Sequence, residues 1–267
     1  MKTVIFIPAR YASTRYPGKP LAVLTLPDGS RKSLIQMSWE AAQSITGVDA
    51  VYVATDDDRI AEAARAFGAE VVMTSPDCAN GTERCADALA NSGIEADLVV
   101  NFQGDAPLTP PWFVEDLIAA MKADPAIPMA TPVLRCDAET YANFLEDRRN
   151  GRVGGTTAVF GTQGNALYFS KEVIPFVDPE KMPDPVPVFH HVGVYAYRPD
   201  ALAGYVAQAA TPLELLEGLE QLRFLETGVP VRCVEVEGRG RVFWELNNPA
   251  DVPRIETALR KLEAAVK

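Results

Sequence analysis

The segment VIFIPARYASTRYPGKPLA, Val4–Ala22, decides how the rest of the chain is read. With Thr3 it opens as a short run of apolar and β-branched residues ending at Pro8 and Ala9, the pattern of a strand buried on both faces of a parallel sheet. Arg10, Ser13, Arg15, Gly18 and Lys19 follow at once. Three cations thus fall in ten residues, where an even spread of the 25 Lys and Arg over 267 residues would place about one. No G-x-G-x-x-G follows the strand, and no glycine loop ends in Gly-Lys-Ser/Thr, so neither a dinucleotide fingerprint nor a P-loop is present. Two guanidinium forks and an ammonium at the carboxyl end of a first strand suit a triphosphate gripped by ion pairs. The forks chelate oxygens bidentately, and the ammonium follows charge that builds on leaving pyrophosphate. Pro17 and Gly18 supply the sharp turn.

Outward from this segment the chain alternates short apolar runs with helical patterns, as a parallel sheet covered by helices requires. Leu34, Met37, Ser38, Ala41 and Ile45 share one helical face. DAVYVATDD is a strand, RIAEAARAFG a helix stopped by Gly68, AEVVMT a strand, TERCADALANSG a helix and ADLVVNFQGD a strand. Thr109 and Pro110 start a helix that buries Phe113, Leu117 and Met121. Less regularity follows: a strand, a helical turn, a solvated loop around EDRRNGR and Asn150–Gly155, and a hairpin. HHVGVYAYR is a strand. TPLELLEGLEQLRFLETG is a helix with Thr211 as N-cap, a capping box through Glu214 and Gly228 as its stop. VPVRCVEVE and RVFWEL are strands, and a closing helix turns Val252, Ile255, Leu259 and Leu262 inward. The fold class is α/β, Rossmann-like, a mixed and mostly parallel sheet with helices on both faces.

At 48% hydrophobic and 23% charged, the 267 residues are enough for one large core, and a single soluble domain, 1–267, is expected. A net charge of −11 argues against a nucleic-acid surface or a polybasic membrane patch. No apolar run approaches the roughly 20 residues that span a bilayer. Cys78, Cys85, Cys136 and Cys233 show no metal-ligand or redox spacing, which suits free thiols in a reducing cytoplasm.

PARYASTRYPGKPL resembles the N-terminal signature of the CMP-KDO synthetases, the 3-deoxy-manno-octulosonate cytidylyltransferases. VATDDDRIAEAARAFGAEVVMTSPDCANGTER, VVNFQGDAP, ALYFSKEVIPF, HHVGVYAYR and PLELLEGLEQLR continue the resemblance in the family's order over most of the chain. It implies a nucleotidyltransferase fold, Mg²⁺ as cofactor, and in-line attack of the C2 hydroxyl of the acidic sugar KDO on the α-phosphorus of CTP, with release of pyrophosphate. It also implies a homodimer, with contacts expected within about residues 135–228. Matched position by position, Pro8, Ala9, Arg10, Ser13, Arg15 and Lys19 belong to the CTP loop, and Gly81, Thr82 and Arg84 lie by the nucleotide, with Arg84 available to the sugar as well. Gln103, Lys171, His191, Tyr195, Glu220 and Gln221 correspond to the sugar side. Arg10, Arg15, Lys19 and Asp105 carry the chemistry, and Asp105 is the magnesium ligand at the end of its strand.

The chain also departs from the pattern. Where the family has VDTPEDL this sequence has LNNPADV, so Asn247 replaces the second acidic metal ligand. Glu245, two residues earlier on a strand-like segment and hence on the same side, is the candidate substitute. Ala106 replaces an acidic residue, Lys171 an arginine, and a glycine-rich insertion precedes GNALYFS. Three functions therefore stay open: activation of KDO or a close relative, cytidylyl transfer to another anionic acceptor such as another ulosonic acid or a phosphonate, and nucleotide binding without catalysis.

Overall fold

The computed structural model describes residues 1–12, 16–153, 155–241, 246 and 248–266. The chain clusters into two compact units, Met1–Glu115 with Gly238–Lys267, and Asp116–Glu237. The expected dimer region, 135–228, lies within the second.

In the first unit the opening apolar run is strand β1 (Thr3–Ala9), with Val4, Ile5, Phe6 and Ile7 fully buried. A small antiparallel pair, β2 (Val23–Thr25) and β3 (Arg31–Ser33), precedes helix α1 (Leu34–Gln43), whose N-cap Ser33 accepts from the Gln36 amide. Then come β4 (Ala50–Thr55), α2 (Asp58–Ala66), β5 (Glu70–Met73), α3 (Gly81–Ser92) and β6 (Leu98–Phe102). Asp57 caps α2, and Gly68, at φ 91°, turns the chain out of it as its sequence position suggests. Strands run parallel in the order β5-β4-β1-β6, with Val4 opposite Ala50 on one side and Val99 on the other. The chain steps outward from β1 to β4 and β5, then returns to the opposite side of β1 as β6. Right-handed crossovers therefore put α1 and α2 on one face and α3 on the other. Open α/β sheets bind ligands at such a reversal, which here lies beyond the carboxyl ends of β1 and β6.

Helix α4 (Pro111–Ala123) starts just after the expected Thr109–Pro110 and buries Phe113, Leu117 and Met121. The closing helix α9 (Val252–Val266) packs Ile255 and Ala258 with Leu24, Leu34, Met37, Leu108 and Leu246, and Val252, Leu259 and Leu262 lie against this cluster as their spacing requires. The expected strand RVFWEL falls almost wholly outside the described residues.

The second unit is built on β7 (Met129–Arg135). Helix α5 (Ala138–Arg149), capped by Asp137, is longer than the expected helical turn. Its last turn contains Glu146–Arg149, so most of the charge cluster read as loop is helix, with Arg148 and Arg149 at the carboxyl end where cations suit the dipole. β8 (Thr156–Phe160) and β9 (Ala166–Ser170) form the expected hairpin. HHVGVYAYR is two strands rather than one, β10 (Phe189–His191) and β11 (Val194–Tyr197). His191 faces Val133 and Ala196 faces Ala130, so five residues advance against three of β7, and the excess bulges at Val192 and Gly193.

After α6 (Pro199–Val206), the long helix expected from Thr211 to Gly228 is also divided, into α7 (Pro212–Glu217) and α8 (Leu222–Glu226). Gly218, left-handed at φ 62°, ends α7. β12 (Val231–Val236) then runs parallel to β7.

Candidate active site

The expected site residues fall into two groups, one in each unit. In the first, β1 delivers half-buried Pro8, buried Ala9 and exposed Arg10 to its carboxyl end. The loop closes through the Gly18 N–H, which donates to the Tyr11 carbonyl at 2.9 Å. Gly18 is left-handed at φ 68°, and a Cβ there would stand 3.0 Å from the Tyr11 ring, so both conformation and space call for glycine. Tyr11 also carries the Arg59 guanidinium, 3.3 Å from its ring centroid. Lys19 leaves this loop to meet Asp105, Nζ to Oδ2 at 2.6 Å. The carboxylate is 25% exposed, within reach of a ligand. Ser13 and Arg15 lie outside the described residues.

Behind β6, Gly104 crosses so close to β1 that a Cβ would be 3.1 Å from the Pro8 carbonyl oxygen. Helix α3 begins at the same place. Its cap Asn80 accepts from the Glu83 N–H at 2.8 Å, and a Cβ on Gly81 would be 2.9 Å from Gln103 Nε2 and 3.4 Å from Pro8 Cγ. Pro8, Gly81 and Gln103, apart by up to 95 positions in sequence, therefore converge with the backbone amides of a helix N-terminus, a setting that favours anions. Thr82, beside Gly81, is fully buried.

Arg84, matched to a position by the nucleotide and the sugar, is buried. Its side chain is 3% exposed, and Nη1 lies 2.6 Å from Thr74 Oγ1 and 3.2 Å from Asp56 Oδ1. The guanidinium ties α3 to the ends of β4 and β5. Asp56 is a residue that sequence reading missed within VATDDD. Asn101 is another: fully buried, facing Gly81, with neither amide atom hydrogen-bonded among the described residues. A lone amide in the apolar run LVVNF was the available signal.

In the second unit, His191 on β10 is 6% exposed and its Nε2 lies 3.0 Å from Thr131 Oγ1. Thr131 Oγ1 also lies 2.9 Å from the Val194 carbonyl, so it links the two sides of the bulge. The His191 ring is 5.6 Å from that of Tyr195, whose hydroxyl donates to Gln221 Oε1 at 3.2 Å. Gln221 is 1% exposed and its Nε2 has no partner among the described residues. Burial, then the neighbouring His190, lowers His191 to about 3 and keeps the ring neutral. Lys171 follows β9, half-buried, and Glu220 lies half-buried after the Gly218 break. His191, Tyr195 and Gln221 thus form one connected group.

Among the described residues no cluster of three or more His, Cys, Asp or Glu side chains could hold a metal ion. Glu245 and Asn247 lie outside those residues. Leu246, between them in sequence, donates its N–H to the Asp105 carbonyl at 2.8 Å. No helix of the described residues is long and apolar enough to cross a membrane.

Comparisons with known proteins point to one family. A family model described as cytidylyltransferase matches residues 4–234. The chain is 48% identical over 257 residues to 3-deoxy-manno-octulosonate cytidylyltransferase of Maricaulis maris, covering 96% of each chain. It is 40% identical over 271 residues to the protein of that name in Syntrophotalea carbinolica, covering 98% of this chain and all of the other. A solved structure of CMP:2-keto-3-deoxy-manno-octonic acid synthetase complexed with CTP superposes with a TM-score of 0.83, at 36% identity and over the whole of both chains. With its Rossmann-like mixed sheet and its cation loop at the end of β1, the chain belongs to the cytidylyltransferase family, among the 3-deoxy-manno-octulosonate cytidylyltransferases.

Proposed function

We propose that this chain is a CTP-dependent cytidylyltransferase that activates KDO, or a closely related ulosonic acid, to its CMP-sugar with release of pyrophosphate. The observation that carries the reading is the Lys19–Asp105 pair, which sets an ammonium and a carboxylate together at the carboxyl ends of β1 and β6. The ammonium and Arg10, with Arg15, are the groups for the triphosphate. They are worth most where negative charge grows on the departing pyrophosphate. Positioning of the C2 hydroxyl in line with the α-phosphorus does the rest, as little covalent work falls to the protein.

Mg²⁺ suits Asp105, because a partly exposed carboxylate beside a phosphate loop is what a hard cation bound through one or two carboxylates and substrate oxygens needs. Such an ion would neutralise charge on the phosphate oxygens. Glu245 is proposed as a further charged ligand and Asn247 as a neutral oxygen. On the sugar side, Lys171 and Gln221 Nε2, which has no partner among the described residues, are the donors for an acidic substrate. A cytoplasmic location goes with this reading, and Cys78, Cys85, Cys136 and Cys233 are free thiols.

The test is pyrophosphate release from CTP and Mg²⁺ with KDO, an amino-KDO and sialic-type acids in parallel. Release with KDO or the amino-KDO is expected. Release only with another anionic acceptor would select the alternative that Lys171 and Ala106 favour, since both change the inferred sugar end. CTP binding without turnover would select a non-catalytic role.

A further inference from the structure

We propose that Glu217 and Gly218 are the positioning device for the Lys171 ammonium, and through it for the carboxylate of the incoming sugar acid. The proposal rests on the acidic-sugar reading above. Glu217 is the last residue of α7, and its carboxylate accepts from Ser170 Oγ at 2.7 Å, from the Lys171 backbone N–H at 2.9 Å and from the Tyr168 hydroxyl at 3.4 Å. All three donors belong to the end of β9 or the residue after it. The carboxylate is therefore engaged in holding the backbone from which Lys171 projects, and does not pair with the Lys171 ammonium.

Gly218 supplies the seat. The chain turns out of α7 there at φ 62°, and a Cβ would stand 3.0 Å from Lys171 Nζ. Any larger residue would displace the ammonium as well as strain the turn. Among the described residues Lys171 Nζ has no carboxylate within the 4.0 Å of an ion pair. A half-buried cation without a counter-ion is a ready acceptor for an anionic ligand, because its desolvation is otherwise uncompensated. The same break leads to Gln221, whose Nε2 is a buried donor without a partner among the described residues. An ammonium and an amide N–H match the charge and hydrogen-bonding capacity of a carboxylate.

Steady-state kinetics with CTP and KDO test the device. Glu217→Ala, Gly218→Ala and Lys171→Ala should each raise KM for KDO about tenfold, the equivalent of one charge-assisted hydrogen bond, with KM for CTP unchanged. Glu217→Ala combined with Lys171→Ala should be no worse than Lys171→Ala alone, because the carboxylate acts through the lysine. Glu217→Gln should recover only part of the loss, since Ser170 bonds Oε1 and the Lys171 N–H bonds Oε2, and the amide keeps a single acceptor oxygen. Additive losses in the double variant, or a Glu217→Ala variant with a lower melting temperature and normal KM for KDO, would overturn the proposal. If Lys171→Ala is silent while the parent enzyme turns KDO over, the positioning device alone falls. If the parent enzyme accepts no acidic sugar, the substrate reading falls and takes the device with it.

Discussion

Lys19 and Asp105 are separated by 86 positions and meet at 2.6 Å, so each can be tested as half of one arrangement. Lys19→Ala, and likewise Arg15→Ala, should lower turnover by about 3 kcal/mol of transition-state stabilisation, roughly a hundredfold, with the fold intact. Circular dichroism beside pyrophosphate release would check it, and near-normal turnover in both would remove the triphosphate assignment. The metal is testable through residues that the motif comparison singled out: Asp105→Asn should abolish activity. Asn247→Asp should lower the magnesium concentration for half-maximal rate, and an unchanged or harmed enzyme would mean the site is built for another purpose. A third expectation concerns stability. Burial lowers His190 from 6.5 to about 4, as it lowers His191 to about 3. The unfolded chain takes up protons near pH 6.5 while the folded one resists, so the stabilisation is complete above about 6.5 and lost progressively as pH falls towards 4. Melting temperatures measured from pH ~7 to ~4 should fall accordingly, and His191→Gln should flatten the slope.

Helices α7 and α8 show how an element departs from its own periodicity. The apolar repeat from Leu213 to Leu225 suits one continuous helix, and Thr211 stands at its N-cap as expected, with Glu214 reaching back to the Thr211 N–H at 3.1 Å. The divided arrangement instead lets Glu214 and Arg223 form a buried two-point pair, 2.7 Å at both contacts. Burial works to raise Glu214, but the Arg223 bonds outweigh it and hold the carboxyl below its usual range. Glu214→Ala would leave Arg223 buried without its carboxylate and should cost about 3–5 kcal/mol, readable as a lower urea midpoint. Spacing could not foresee this, because Gly218 is tolerated in a helix at modest cost and the buried Glu214–Arg223 pair shows only in the folded chain. β10 and β11 depart likewise: HHVGVYAYR has a strand's composition, and at the bulge Thr131 on β7 lies within hydrogen-bond distance of His191 and two carbonyls.

At the scale of the molecule, the second unit exposes large apolar side chains: Leu167, Phe176, Met182, Val206, Leu213, Leu215 and Leu216, with Phe176 at 88% and Leu216 at 82%. All fall within the region expected to pair, and a dimer by sedimentation is the expected outcome; a monomer at every concentration would contradict it. The sequence by itself determined the strand–helix alternation of the first unit, its caps and glycine stops, and the cation loop after β1, because these depend on residues close together in the chain. It also carried the family, through motifs long enough to be specific. Tertiary structure alone decided that Arg84 is tied inward to Asp56 and Thr74, that the end of α7 at Gly218 lies close to Lys171 Nζ, and that Asn101 is buried against Gly81. Those outcomes depend on which distant groups compete for the same hydrogen bonds and the same space, and no local pattern encodes that competition.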